Sequence, residues 1–207
     1  MGVRTEAAAS MLIYYLHSMY IVFDTETTGL PKDWKAPVTK VDNWPRLVQL
    51  GWMRFDTQHQ LVSEANWIVR PDGFTIPVDA SKIHGISQKR AMTEGLPVRE
   101  VLDLFLGEVA ASKFVIAHNL DYDEKVMGAE FIRAQVDSPF KGKKMVCTKT
   151  EATDFCQLPG KFGYKWPTLA ELHKILFGHG FEDAHNALGD VRATARCFFE
   201  LRQRGVL

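Results

Sequence analysis

The chain has 207 residues, of which 46% are apolar, and its 25 basic and 25 acidic side chains leave a formal net charge of zero. That is enough chain and enough apolar residue to bury the core of one compact unit, and no linker or repeat marks a second one. The balanced charge excludes a strongly basic protein that coats nucleic acid through a global field, and no apolar segment is long enough to span a bilayer.

Residues 1–18 hold Arg4, an alanine-rich patch and the run Met11 to Leu16. The run passes straight into the next apolar segment without a cleavage site and spacer, so it makes a poor signal peptide. It is expected to be an N-terminal extension or tag, with the folded unit over 19–207.

Met19-Tyr-Ile-Val-Phe23 opens that unit as a short run of β-branched and aromatic residues. It predicts a buried strand over 20–25. Asp24 and Glu26 emerge at its end on one side, because strand side chains alternate. Two like charges there would drive one to take up a proton unless a cation joined them. Thr27, Thr28 and Gly29 follow as a turn. Pro31 to Pro45, with Trp34 and Trp44, reads as a loop that flanks a substrate.

Strands are expected near 47–55 and 61–69, then a helix near 98–111 and a strand over 113–117. A second helix runs from Leu120 to about Gln135, with Asn119 as its side-chain N-cap and Asp123 in its first turn. An acid there also suits the helix dipole. After a strand near 144–148 come further helices. The last runs to about Arg202, with Val191, Ala195 and Phe198 as its apolar stripe and Asp190 facing inward. His185 stands five residues before Asp190, a separation that does not stack two side chains on one helical face. It is therefore expected on the approach to the helix. The three early strands predict an antiparallel meander, and the later alternation of strand and helix predicts parallel additions to a mixed sheet.

Lys141, Lys143 and Lys144 form one small basic run, and Lys161 and Lys165 stand beside Tyr164 and Trp166. Interleaved lysines and rings can hold phosphates and stack bases, although a solvated loop gives the same pattern. Cys147, Cys156 and Cys197 are odd in number and lack metal-ligand spacing. They read as reduced thiols of a cytoplasmic protein, with Cys147 and Cys197 in the core.

The chemistry rests on four carboxylates, Asp24, Glu26, Asp123 and Asp190, with one histidine, His185. Phosphodiesters resist hydrolysis because an anionic backbone repels the nucleophile and the alkoxide leaves poorly. Two divalent ions about 3.5–4 Å apart lower the pKa of the attacking water and stabilise the departing oxygen. Hard cations such as Mg²⁺ or Mn²⁺ take oxygen ligands, which four carboxylates without a thiolate supply. A nearby imidazole can take the water's proton.

The motifs Asp24-Thr-Glu26-Thr-Thr-Gly29, His118-Asn119-Leu-Asp-Tyr122-Asp123 and His185-Asn-Ala187-Leu-Gly-Asp190 together resemble the DEDDh subgroup of the DnaQ-like 3′→5′ exonucleases. That family includes the proofreading epsilon subunit of bacterial DNA polymerase. Order and spacing agree over residues 20 to about 202. Ile83-His84-Gly85-Ile86 is also similar to a segment of the epsilon subunit, and Trp166-Pro-Thr-Leu169 stands where the family has a short leucine-containing helix. Departures are Tyr122 in place of phenylalanine and the extra acids Asp121 and Glu124. The sister subgroup carries tyrosine where this chain has Asn186, which argues for histidine as the base.

The resemblance implies an α/β, RNase H-like fold with a central mixed five-stranded sheet flanked by helices, making 19–207 a single exonuclease domain. It implies that Asp24, Glu26, Asp123 and Asp190 hold two Mg²⁺ or Mn²⁺ ions, that His185 is the general base, and that Thr27, Thr28, Gly29, His84 and Asn119 lodge the terminal nucleotide. The expected substrate is the 3′ end of single-stranded DNA, with a DNA polymerase as a conceivable partner and no membrane. Alternatives are an RNA 3′-end exonuclease and a non-catalytic polymerase-docking subunit that binds nucleic acid.

Overall fold

A computed structural model describes residues 18–182 and 184–207, with Ser18 described by its backbone alone. The expected extension at 1–18 therefore lies outside the described residues, apart from Ser18, which opens the first strand.

In chain order the elements are β1 (Ser18–Thr27), β2 (Leu47–Asp56), β3 (Leu61–Ile68), α1 (Val78–His84), α2 (Gln88–Glu94), α3 (Val98–Ala110), β4 (Phe114–Ala117), α4 (Leu120–Arg133), β5 (Lys144–Cys147), α5 (Thr148–Glu151), α6 (Thr153–Cys156), the small hairpin β6 (Pro159–Gly160) and β7 (Gly163–Tyr164), α7 (Leu169–Phe177) and α8 (Ala187–Gln203). The five-stranded sheet has the order β3-β2-β1-β4-β5. β1, β2 and β3 pair antiparallel, whereas β4 runs parallel to β1 and β5 parallel to β4. This is the mixed sheet expected from the sequence.

β1 is apolar on both sides because both sides are covered. Ile21 and Phe23 pack with Val101, Phe105, Val126 and Phe131 of α3 and α4. Tyr20 and Val22 pack with Val191, Ala195 and Phe198, the stripe of α8. The two faces of one strand thus address two different helical layers. Odd-numbered side chains face α3 and α4, and even-numbered ones face α8.

Gly51 lets α8 approach the sheet. A Cβ at this position would meet the Ala187 carbonyl carbon at 2.8 Å and the Leu188 nitrogen at 2.9 Å. Glycine inside a strand commonly marks such a close approach. Gly51 is also the register partner of Asp24, so it brings the start of α8 directly over the first acid.

Several elements depart from expectation. α1 and α2 are seven-residue helices that bury only Ala80, His84 and Ala91, too short and too exposed to show an apolar period. Half of the Pro31–Pro45 loop is structural. Trp44 is buried, and its indole N–H donates to the Pro37 carbonyl at 3.3 Å. At the loop's end, buried Glu130 of α4 accepts from Arg46 at 2.8 Å, the Leu47 N–H at 3.1 Å and Arg133 at 2.9 Å. Three charged or backbone donors satisfy that carboxylate and lock the entry of β2 to α4. Lys143 does not sit on a solvated run, since its ammonium donates to the Ala110 and Ser112 carbonyls at 3.1 and 2.6 Å and so closes the end of α3. Cys197 is buried as expected, but Cys147 is only half-buried because it lies on the edge strand β5.

Candidate active site

Carboxylate oxygens of Asp24, Glu26 and Asp190 all lie within 4.8 Å of one another. Asp24 and Glu26 share the α8 side of β1, and Asp190 meets them from the first turn of α8. Two side chains of the meander anchor that turn. Gln49 accepts the Ala187 N–H at 3.1 Å, and Asn186 caps the helix by accepting the Leu188 N–H at 3.2 Å while receiving the Asn66 amide at 3.2 Å.

Asp123 reaches the strand end from the opposite face. It is buried in the first turn of α4, where one oxygen accepts the Thr25 hydroxyl at 2.6 Å and the Thr25 N–H at 3.2 Å. Thr25 projects away from its two acidic neighbours, and that alternation explains why Asp123 stands apart from the three-acid group.

The electrostatics of the four acids are unfavourable without a cation. The ion pairs of the described residues all lie elsewhere. Burial first, and then the charges of Asp123, Asp190 and Glu26, hold Asp24 well above the usual carboxylate range. Burial followed by Asp190 and Asp123 pushes Glu26 up to about 8. Burial carries Asp123 up to about 7 against the opposing hydrogen bonds from Thr25. Asp190 is raised by burial to about 6, with the His185 N–H and ring charge drawing it partly back. A set of buried and half-buried acids that raise one another's pKa, paired among the described residues with no lysine or arginine, is a donor set matched to divalent cations.

His185 lies just before α8, exposed and with a left-handed backbone at φ 65°. Its N–H donates to Asp190 at 3.1 Å. The Thr27–Gly29 turn is held by Tyr122 and by Arg46. The Tyr122 hydroxyl donates to the Gly29 carbonyl at 2.7 Å and lies 2.6 Å from the Thr27 hydroxyl. Thr28 accepts the Arg46 N–H at 2.9 Å. His84 is buried near the same turn, with Nδ1 accepting the Ile86 N–H at 3.1 Å. Its Nε2 completes no hydrogen bond, and burial lowers its pKa while the nearby Thr27 backbone opposes part of that fall.

Asn119 requires a correction. It precedes α4 as expected, but its side chain makes no cap. The backbone is left-handed at φ 78°, not the extended conformation that aims an N-cap side chain at the first turn. Its Oδ1 instead accepts the Lys149 ammonium at 2.8 Å. His118, the first residue of the same motif, is a structural bridge between the Thr148 hydroxyl at 3.0 Å and the Pro167 carbonyl at 3.2 Å. Burial pushes it down to about 4, so its imidazole is neutral.

Thr25, Gln49, Gly51 and Tyr122 support the site without having been singled out for that work. Only Gly51, a glycine inside an apolar strand, carried a visible signal.

The exonuclease family model of RNase T matches residues 21–198. The chain belongs to this exonuclease family. Its relatives include a PolC-type DNA polymerase III from Caldanaerobacter subterraneus subsp. tengcongensis, 27% identical over 91% of this chain and 12% of that protein. The DNA polymerase III epsilon subunit of Treponema pallidum is 26% identical over 88% of this chain and 75% of its own length. Among solved structures, the zinc-bound complex of E. coli exonuclease I with single-stranded DNA superposes with a TM-score of 0.69 at 19% identity, over 91% of this chain and 41% of that one. The complex of the same enzyme with a dT13 oligonucleotide gives 0.69 at 18% identity, over 89% of this chain and 41% of that one. These structures establish the RNase H-like fold. The chain thus spans about an eighth of the PolC-type relative and about two fifths of exonuclease I. No described helix is long and apolar enough to cross a membrane.

Proposed function

We propose that this exonuclease-family domain removes nucleoside 5′-monophosphates from 3′ ends, with single-stranded DNA as its substrate. The observation that carries the reading is the meeting of Asp24, Glu26 and Asp190 within 4.8 Å, with buried Asp123 at the same strand end. The likeness to the epsilon subunit and to exonuclease I, which is known in complex with single-stranded DNA, supports the direction and the substrate.

Asp24, Glu26, Asp123 and Asp190 are the residues that would hold two divalent ions, Mg²⁺ or Mn²⁺. Bound there, such ions supply a lowered pKa for the attacking water and stabilisation of the departing oxygen. Thr25 holds Asp123 in place, and Gln49, Gly51 and Asn186 set the approach of Asp190. His185, exposed and tethered through its backbone to Asp190, would take the water's proton as general base. The braced Thr27–Gly29 turn, the His84 imidazole and the Asn119 side chain lodge the terminal nucleotide. A frayed end enters this cleft more readily than a duplex.

The test is a degradation ladder on matched 5′-labelled single-stranded DNA and RNA, with Mg²⁺, Mn²⁺ or EDTA. The expected result is metal-dependent shortening from the 3′ end of DNA. Shortening of RNA alone would transfer the reading to RNA 3′-end trimming, and binding without cleavage would favour a polymerase-docking subunit.

A further inference from the structure

The hairpin of β6 and β7 takes no part in the site above, yet it carries the most exposed large apolar side chain of the described residues. Phe162 is 92% exposed, and Tyr164 on the same hairpin is exposed as well. The two strands, Pro159–Gly160 and Gly163–Tyr164, leave Lys161 and Phe162 as the whole turn. Gly163 adopts φ 121°, and a Cβ on Gly160 would meet the Gly163 carbonyl oxygen at 2.9 Å and the Lys165 nitrogen at 3.0 Å. Glycine on both sides therefore commits the chain to a tight turn, with Phe162 held out into solvent.

A two-stranded ribbon is marginal by itself, so its anchorage decides where the tip stands. The Lys165 N–H donates to the Leu158 carbonyl at 2.9 Å, and the Lys165 ammonium pairs at 2.5 Å with Glu171, which closes the capping box of α7. Two residues later the Pro167 carbonyl meets the His118 imidazole at 3.2 Å, beside the start of α4, the helix that carries Asp123. Five residues separate Pro167 from Phe162, a reach of at most ~18 Å. That equals about five steps of a stacked strand at ~3.4 Å each.

Chemistry decides the partner. The Lys161 ammonium lies 5.1 Å from the Phe162 ring centroid and joins none of the ion pairs of the described residues. An unpaired cation beside an open π face matches what a single strand presents, a phosphate beside a base. The ring is flanked by Lys161 and Gly163, so the tip lacks the broad apolar patch of a protein interface. We infer that Lys161 and Phe162 grip the single strand about four to six nucleotides upstream of its 3′ end, Phe162 stacking on a base and Lys161 holding a phosphate. The inference rests on the exonuclease reading and deepens it. The acids set the chemistry at the last nucleotide, and the hairpin sets how long a strand the domain retains between cuts.

The experiment measures KM and kcat in Mg²⁺ for oligodeoxythymidylates of three and twelve nucleotides, with the wild type, Phe162→Ala, Phe162→Trp and Lys161→Ala. The twelve-mer should show a KM about 5- to 150-fold below that of the trimer, the range that stacking of one base supports, at similar kcat. Phe162→Ala should collapse that ratio toward one, and Phe162→Trp should restore it, which a merely structural role would not do. Lys161→Ala should reduce the slope of log KM against log salt for the twelve-mer by about 0.7, the share of one phosphate on a single strand. Equal KM for the two lengths in the wild type, or a ratio unmoved by Phe162→Ala, overturns the grip while the exonuclease reading stands. Should RNA alone be cut, the same ratio is read on RNA oligomers. If neither is cut, the exonuclease reading fails by itself, and anisotropy of the labelled twelve-mer decides the hairpin. Binding weakened about fivefold or more by Phe162→Ala upholds the grip, and binding unchanged or absent overturns it.

Discussion

The two sides of the candidate site are built on opposite principles. The carboxylates are carried by β1 and by the first turns of α4 and α8, among the most deeply packed elements of the chain. Asp123 is buried with two hydrogen bonds from Thr25, and α8 is pressed onto Gly51. His185 and the Phe162 tip of the β6–β7 hairpin stand instead on exposed connections. The contrast teaches that charges which repel one another must be forced together by packing. A proton acceptor or a stacking ring needs only reach and accessibility.

Substitutions at the packed side should separate activity from stability most widely. Asp24→Asn should lower turnover by more than ~10³-fold, since it removes a ligand whose ions supply several kcal/mol of transition-state stabilisation. Metal-free Tm should stay level or rise, because a like charge is gone. Retained wild-type turnover would sink the metal-site assignment. On the exposed side, His185→Ala should reduce kcat by ~10²–10⁴-fold without moving Tm, measured by single-turnover hydrolysis and thermal melting. Weaker binding with unchanged single-turnover rate would make His185 a positioning residue.

Gly51→Val attacks the packed side without touching a charge. Forcing a side chain against the Ala187 and Leu188 backbone should destabilise by about 1–3 kcal/mol and lower Tm by roughly 2–12 °C, with activity falling as Asp190 shifts. An unchanged melt together with full activity would show that α8 can retreat freely.

The subtlest test is the pH dependence of the metal-free protein. Glu26, Asp123 and Asp190 hold their protons to about 8, 7 and 6 when folded, above their ordinary values near 4. For groups whose folded pKa is raised, the stabilising contribution is complete below the ordinary value and is lost as pH climbs through the folded one. Tm in EDTA should therefore decline between about pH 4 and pH 8, and Mg²⁺ or Mn²⁺ should flatten the decline. A flat profile in EDTA would show that the acids do not repel one another as their burial implies.

Much of this arrangement was legible in the chain. The strands around 20–25, 47–55 and 61–69 and the helices from 98, 120 and before 190 follow from apolar period and turn chemistry, and each appears within a few residues of its expected bounds. The acids were found because Asp24 and Glu26 interrupt an apolar strand, a costly placement that requires a reason. Less was legible where one side chain serves a distant partner. Asn119 has the residue type of an N-cap but turns left-handed toward Lys149. Lys143 belongs to a basic run but closes α3. Trp44 and Trp34 share one loop, yet the first is buried and the second is exposed.

The sequence by itself determined the order of the five main strands and the three long helices, the five candidate groups and the family resemblance, because these depend on local period and motif spacing. Tertiary structure alone decided which of the other acids joins the side that Asp24 and Glu26 share. The alternation along β1 sends Asp24 and Glu26 toward α8 and Thr25 toward α4, so Asp190 completes one cluster and Asp123 arrives from the other side of the sheet. It also decided that Gly51 gives α8 its closeness and that Trp34 and Trp166, 132 positions apart, line one cavity. Neither fact is written in local pattern, because each follows from the distance between segments that only packing brings together.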